Sequence, residues 1–209
     1  RLNAWQPERP PEPPLLAQLH SINLLLIPIA DSLRSALAKN ACVCFREMFT
    51  RLARHMEADL DLVVPMLLKK SSESNGFICD EANKALQAMV HSGLSESRAI
   101  SALASCASHR NPSVRAKAAL HLSKTLEVWG SARVIASKEL ERIVPLFASL
   151  LSEGLSETRT VTKQALVALI REARRTGGEG NERLDRLLRR HVQEQALKKL
   201  FDLVNQTDA

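Results

Sequence analysis

From Leu15 to the C-terminus, apolar residues recur at intervals of three and four, interrupted only by short polar stretches. That pattern predicts one helix after another and no strand. In "SVRAKAALHLSKTLEVW", Val114, Ala118, Leu122, Leu126 and Trp129 fall on or near one face at helical spacing. The preceding "HRNP" supplies a start. Asn111 can accept a hydrogen bond from the free N–H groups of the first turn, and Pro112 at the first helical position has no N–H to leave unpaired. The same reading predicts helices over 15–30, 33–54, 57–70, 76–91, 95–108, 112–130, 137–152, 156–175 and 183–206, the last either continuous or broken near Arg190. Residues 1–14, "RLNAWQPERPPEPP", hold five prolines and read as an extended leader.

The helices pair, and the second member of each pair has a recurring start: "SLRSALAKNACVCF", "GFICDEANKALQAM", "SVRAKAALHLSKTL" and "ETRTVTKQALVALI". Aligned on their small residues, Arg34, Cys79, Arg115 and Arg159 share a column, at spacings of 45, 36 and 44 residues. Units of roughly 40–47 residues are the period of HEAT and armadillo repeats. First helices repeat as well, with a shared Val-Pro in "DLVVPMLLK" and "ERIVPLFASLL". A helical hairpin cannot bury its own apolar face, so stacking supplies the core. The expected fold is all-α, an α-solenoid of HEAT-like helical hairpins over residues 15–206.

Composition agrees with helix: Gly is scarce, at 7 of 209 residues. The most apolar stretch, "INLLLIPIA" (22–30), is too short to span a bilayer and holds Asn23 and a proline, so no membrane partner is expected. No secretory signal is visible, and the first residue is not Met, so the segment reads as part of a longer chain. Cys42, Cys44, Cys79 and Cys106 have neither zinc nor disulfide spacing and read as small hydrophobes in a reducing compartment. The six His lie in separate helices or turns without ligand spacing, and no Gly-rich phosphate loop follows a strand. Neither an enzyme nor a metal or other cofactor is expected. "GGEG" (177–180) reads as a hinge in a charged loop.

A formal net charge of +6 and a pI near 9.4 point to an acidic partner. In a stacked array, the turns inside successive hairpins line up along one edge. Here they read "ADSLRS", "KKSSESNGF", "HRNPSVR" and "SETRTVTK", and each carries bases: Arg34, then Lys69 and Lys70, then Arg110 and Arg115, then Arg159 and Lys163. The helix macrodipole disfavours cations at these starts, so repeating them suggests a ligand. The competing reading is structural, an Arg in this column bonding an acid of the neighbouring repeat. A second basic stretch, residues 171–199, sets nine Arg or Lys against five Asp or Glu. Its acids and bases alternate at helical spacing, as on a solvated helix.

The stretches "DSLRSALAKNACVCFREMF", "SNGFICDEANKALQAMV" and "HRNPSVRAKAALHLSKTLEVWG" resemble a TOG domain, the tubulin-binding HEAT array, of the CLASP and crescerin type (TOG array regulators of axonemal microtubules). The resemblance covers about residues 15–206. It implies a tubulin-facing edge of intra-repeat turns. Matching positions are Ser32, Leu33 and Arg34, then Ser74, Asn75 and Gly76, then Arg110, Asn111 and Arg115, and finally Thr158, Arg159 and Lys163. It further implies tubulin or microtubules as partner, a cytoskeletal and ciliary or axonemal location, and a monomeric domain within a longer multidomain chain. TOG domains usually begin with a repeat whose first turn offers a Trp. Here Trp5 lies among prolines, so that first repeat is missing, degenerate or outside the segment.

Two rival classes remain. HEAT arrays with basic faces bind nucleic acid, but two Trp, five Phe and no Tyr leave few stacking platforms, so nucleic acid is not the expected partner. The other is a TOG-like scaffold that binds a different cytoskeletal or ciliary protein without tubulin affinity.

Overall fold

Two helix starts in this chain are set by Asn side chains that take up free N–H groups. In a computed structural model describing residues 13–207, Asn111 Oδ1 accepts from Ser113 N at 2.9 Å and Pro112 opens the helix Pro112–Trp129. Asn75 Oδ1 does the same for Phe77 N at 3.2 Å, opening Gly76–His91. Residues 1–12, and with them Trp5 and most of the proposed leader, lie outside the described residues. The first helix already begins at Pro13, where two prolines occupy its first turn without cost.

The helices are α1 (Pro13–Ala30), α2 (Ser35–Leu52), α3 (Leu60–Lys70), α4 (Gly76–His91), α5 (Glu96–Ala104), α6 (Pro112–Trp129), α7 (Ser131–Ala136), α8 (Leu140–Leu150), α9 (Ser156–Thr176), α10 (Gly178–His191) and α11 (Glu194–Thr207). A 3-10 segment, Ala53–Asp59, joins α2 to α3. No strand occurs among the described residues. The chain divides into two compact units, one up to Cys106 and one from Ala107 on.

In the first unit α1, α3 and α5 form one layer and α2 and α4 a second. The broadest helix contact is between α2 and α4. Between the layers lie Phe45, Met48, Phe49, Leu67, Leu86 and Ile100, all excluded from water. Polar ties fix the register. Glu81 on α4 accepts from Arg46 of α2 at 2.7 Å and from its own neighbour Lys84 at 2.8 Å. Those partners, Lys84 foremost, hold its carboxyl below the ordinary value. The buried Asp59 carboxylate takes Asn23 Nδ2 and pairs with His20 Nδ1, each at 2.6 Å, pinning α1 to the start of α3.

In the second unit α6, α9 and α11 share a layer, and α7, α8 and α10 pack on α9. Val114, Ala118, Leu122 and Leu126 are buried as the helical period requires, while Trp129 at the helix end is half-exposed. His121, on the same helix, is fully buried. Burial, with Lys124 and Lys117 nearby, drives its pKa down to about 3, so it is neutral at physiological pH. The shared Val-Pro of the first helices is a true repeat. α3 and α8 are both 11 residues long, with Pro65 and Pro145 in the same sixth position.

Three sequence expectations need correction. Residues 131–136, left between two predicted helices, form α7, because Gly130 at φ +82° turns the chain at the end of α6 and α7 then finds cover on α9. The expected helix over 57–70 begins three residues later, at Leu60, after the 3-10 segment. "GGEG" is not a free hinge. Gly177 and Gly178, both at φ +65°, make the joint, α10 runs on from Gly178, and Gly180 sits where an added Cβ would come within 2.8 Å of Ile135 Cγ2 on α7. That methyl belongs to a branched side chain and cannot swing away cheaply. Gly180→Val is therefore expected to destabilise the protein by about 1–3 kcal/mol, read as a lower urea midpoint.

The cysteines are all free, Cys42 and Cys106 buried and Cys44 and Cys79 half-buried. Burial pushes the Cys42 thiol up to about 11.

Candidate functional site: the intra-hairpin turns

Each second helix begins at the end of a turn, and the first four positions of that helix decide what the turn presents. Cys79, Arg115 and Arg159 are the fourth residues of α4, α6 and α9. The fourth residue of α2 is the buried Ala38, and Arg34 is instead the residue before that helix. The expected four-member column is thus three members, with Arg34 in register with Asn75, Asn111 and Leu155.

The three equivalent side chains do one job. Cys79 Sγ reaches Ser71 O at 2.9 Å. Arg115 Nη1 donates to His109 O at 2.7 Å and Arg110 O at 3.2 Å. Arg159 Nη1 donates to Glu153 O at 2.5 Å and Gly154 O at 2.7 Å. Each folds back to satisfy carbonyls of its own turn, groups that would otherwise go unpaired. The N-terminal placement of two cations, disfavoured by the macrodipole, is offset by these bonds and requires no ligand.

Salt bridges then join adjacent turns within each unit. In the first, Asp31 of the α1–α2 turn takes Lys69 at 3.0 Å and Lys70 at 2.9 Å from the end of α3. Hydrogen bonds from Lys70 and then Lys69 hold the Asp31 carboxyl below its usual value. Lys70 is buried and also meets Glu73 at 2.9 Å. Burial alone would lower its pKa, but the bonds to Glu73 and Asp31 raise it. In the second unit, Arg115 Nη2 bridges to Glu153 of the next turn at 2.6 Å. Arg115 thus makes the bond to an acid of the neighbouring repeat that the structural reading expects.

The expected site residues therefore separate. Leu33, Arg34, Ser74, Gly76, Arg110 and Asn111 are exposed, though Asn111 is engaged as a cap. Ser32, Asn75 and Lys163 are half-buried; Ser32 Oγ accepts from Arg34 N and Asn75 caps α4. Arg115 and Arg159 are half-buried and committed to the turns, and Thr158 is buried beneath the surface. Lys69 and Lys70, expected to add to a basic edge, are neutralised by Asp31 and Glu73 together. The side chains of Arg34 and Arg110 are left as uncommitted, exposed cations on the turns.

One exposed residue escaped the sequence reading. Phe77, second residue of α4, is 76% exposed, with Lys39 Nζ 5.9 Å from its ring centre. With the fully exposed Leu33 of the α1–α2 turn, it makes two large apolar side chains on turns that Asp31 ties together. At the second position of α4, Phe77 falls one residue before the buried face that starts with Ile78, Ala82, Ala85 and Met89. Its direction follows from the cap at Asn75, which fixes where the first turn points.

Truncation separates these roles. Arg115→Ala strands Glu153 and two carbonyls and is expected to cost about 1–3 kcal/mol of stability, whereas Arg110→Ala stays within about 0.5 kcal/mol. Paired urea denaturation curves check both.

Within each unit, two layers of helices with tied turns define the class of α-helical repeat folds. Residues 9–193 match the sequence family described as CLASP N terminal, and the chain belongs to that family. Over 181 residues it is 29% identical to TOG array regulator of axonemal microtubules protein 1 of Mus musculus, covering 85% of this chain. The chain spans only about 10% of the length of that relative. Among solved structures it is similar to a domain of crescerin, which uses a TOG domain array to regulate microtubules in the primary cilium. The TM-score is 0.69 at 16% identity, over 97% of this chain and 79% of that one. It is also similar to a TOG domain whose tubulin-binding specificity promotes microtubule dynamics and mitotic spindle formation. There the TM-score is 0.64 at 14% identity, over 91% of this chain and 69% of that one. The fold is that of TOG domains, a HEAT-like helical solenoid.

Proposed function

We propose that this domain binds tubulin through its intra-hairpin turns, as one module of a longer microtubule regulator of the cytoskeleton, and of the cilium or axoneme in particular. The observation that carries the reading is the pair Leu33 and Phe77. Large apolar side chains held in water on tied turns do nothing for the fold, and apolar anchors ringed by polar groups are how interfaces are built. Arg34 and Arg110 add positive charge suited to an acidic protein surface, and such charge speeds encounter more than it tightens binding. Family membership and the TOG fold support the same reading, and support a binding module with neither catalysis nor a cofactor.

Co-elution with αβ-tubulin on a sizing column tests it. The domain is expected to shift to the tubulin-containing fraction at micromolar concentration and moderate salt. If it elutes alone there and also fails to pellet with microtubules, tubulin is not its ligand. The TOG-like scaffold for another cytoskeletal or ciliary protein then becomes the better reading.

A further inference from the structure

At the other end of α6 and α9 from the turns, the structure holds an open cleft of about 830 Å³ that the tubulin proposal does not use. It is lined by Gly130, Ser131 and Ala132 on one side and by Ala168, Arg171, Glu172, Arg174 and Arg175 of α9 on the other. Small residues make the space, with Gly130 turning the chain and Ala132 and Ala168 both exposed. At 1.5 Å per residue, the 21-residue α9 puts its two ends roughly 30 Å apart, so the cleft is a separate surface.

Its charge is unbalanced. The one carboxylate in the lining, Glu172, is taken by Arg175 through bonds of 2.9 and 2.7 Å. Arg174 donates to Asn205 Oδ1 at 2.8 Å and lies over the Phe201 ring at 5.2 Å, which orients its guanidinium without neutralising it. Arg171 has no hydrogen bond or ion pair among the described residues, and its Nε is shut off from solvent with no partner. A guanidinium that has lost part of its hydration and gained no partner is a cost to the fold. Arg115 also has a closed-off Nε without a partner, but its Nη groups, like those of the other half-buried arginines of this unit, are engaged: Arg115 on Glu153, Arg159 on two carbonyls, Arg183 on Ser137 O and Glu141.

We propose that this cleft binds an acidic peptide segment of a partner protein, a side-chain carboxylate pairing with Arg171 and a second with Arg174, while the chain lies along the small-residue floor. Arginine forks suit carboxylates because two parallel N–H groups meet two oxygens. A peptide is favoured over a nucleic acid strand because the lining offers no aromatic ring on which a base could stack.

The test is fluorescence anisotropy of a labelled octaglutamate peptide against the whole chain at about 0.1 M salt, where charges more than a Debye length apart are already screened. Saturable binding is expected, weakened about tenfold by Arg171→Ala. Ala168→Glu, at an exposed helical position that tolerates the change, is expected to weaken it as much by offering Arg171 an internal carboxylate. Arg186→Ala on α10 removes the same charge outside the cleft and should leave affinity within twofold. Thermal melts followed by dichroism confirm that the variants fold. Absence of saturable binding overturns the proposal. So does an equal loss in Arg186→Ala, which would mean diffuse attraction, or equal displacement of the peptide by inorganic phosphate or duplex DNA.

Discussion

Replacing Phe45 with alanine is expected to lower stability by about 3–5 kcal/mol, the usual cost of emptying a fully buried aromatic site. Phe45 is completely excluded from water on α2, the helix whose contact with α4 is the broadest in its unit. The chain has only five Phe and no Tyr, so its core is built from Leu, Ala, Val, Ile and Met with few bulky fillers. Alanines at Ala38, Ala41, Ala82 and Ala85 let α2 and α4 approach closely, and they cannot expand to refill a ring-sized void. The residual cavity should therefore stay large and the loss lie in the upper part of the range. Urea unfolding reads it as a fall in midpoint at unchanged slope. A loss below about 1 kcal/mol would show that the two layers collapse onto the vacancy and that packing here is looser than the burial implies.

Most of the core is legible in the amino-acid sequence, because a 3.6-residue period leaves little choice about which face of a long helix is buried. Val114, Ala118, Leu122 and Leu126 on α6 illustrate it, as do the helix starts at Gly76 and Pro112 and the cap at Asn111. Short elements are not legible. α7 has two buried residues, Val134 and Ile135, too few to show a period, and it is held by packing on α9 and α10 rather than by local preference. Register fails at Arg34, where matching residue type displaces the alignment by one helical turn. The site is half-legible for a related reason. Sequence places Arg110 and Arg115 on the same turn. Whether a side chain faces solvent or folds back depends on which carbonyls the turn leaves unpaired, and that is a property of its backbone path. Arg115 and Arg159 lie three residues inside their helices and reach back; Arg110 lies outside its helix and does not.

Phe77→Ala is expected to weaken tubulin binding about 30-fold, roughly 2 kcal/mol, while leaving the urea midpoint within about 0.5 kcal/mol of the parent. The two halves of this expectation have one cause. A ring that is three-quarters exposed contributes little to the core, so its removal costs the fold little, yet all of that area remains to be buried by a partner. Leu33→Ala should act in the same direction with a smaller effect, since it offers less area and no ring. Arg110→Glu, also exposed, is expected to cost on the order of 1–3 kcal/mol of binding as a charge-assisted contact is lost. Salt separates the two mechanisms. Raising ionic strength from about 0.05 to 0.3 M should shrink the Arg110 effect through screening and leave the Phe77 effect nearly constant. Arg186→Glu, an equal charge reversal at an exposed position on α10, controls for diffuse attraction. Should Phe77→Ala and Leu33→Ala both bind tubulin as tightly as the parent, the turns of the first unit are not the contact surface. Loss of binding by Arg186→Glu to the same degree as Arg110→Glu would instead leave net charge, and no particular turn, as the source of affinity.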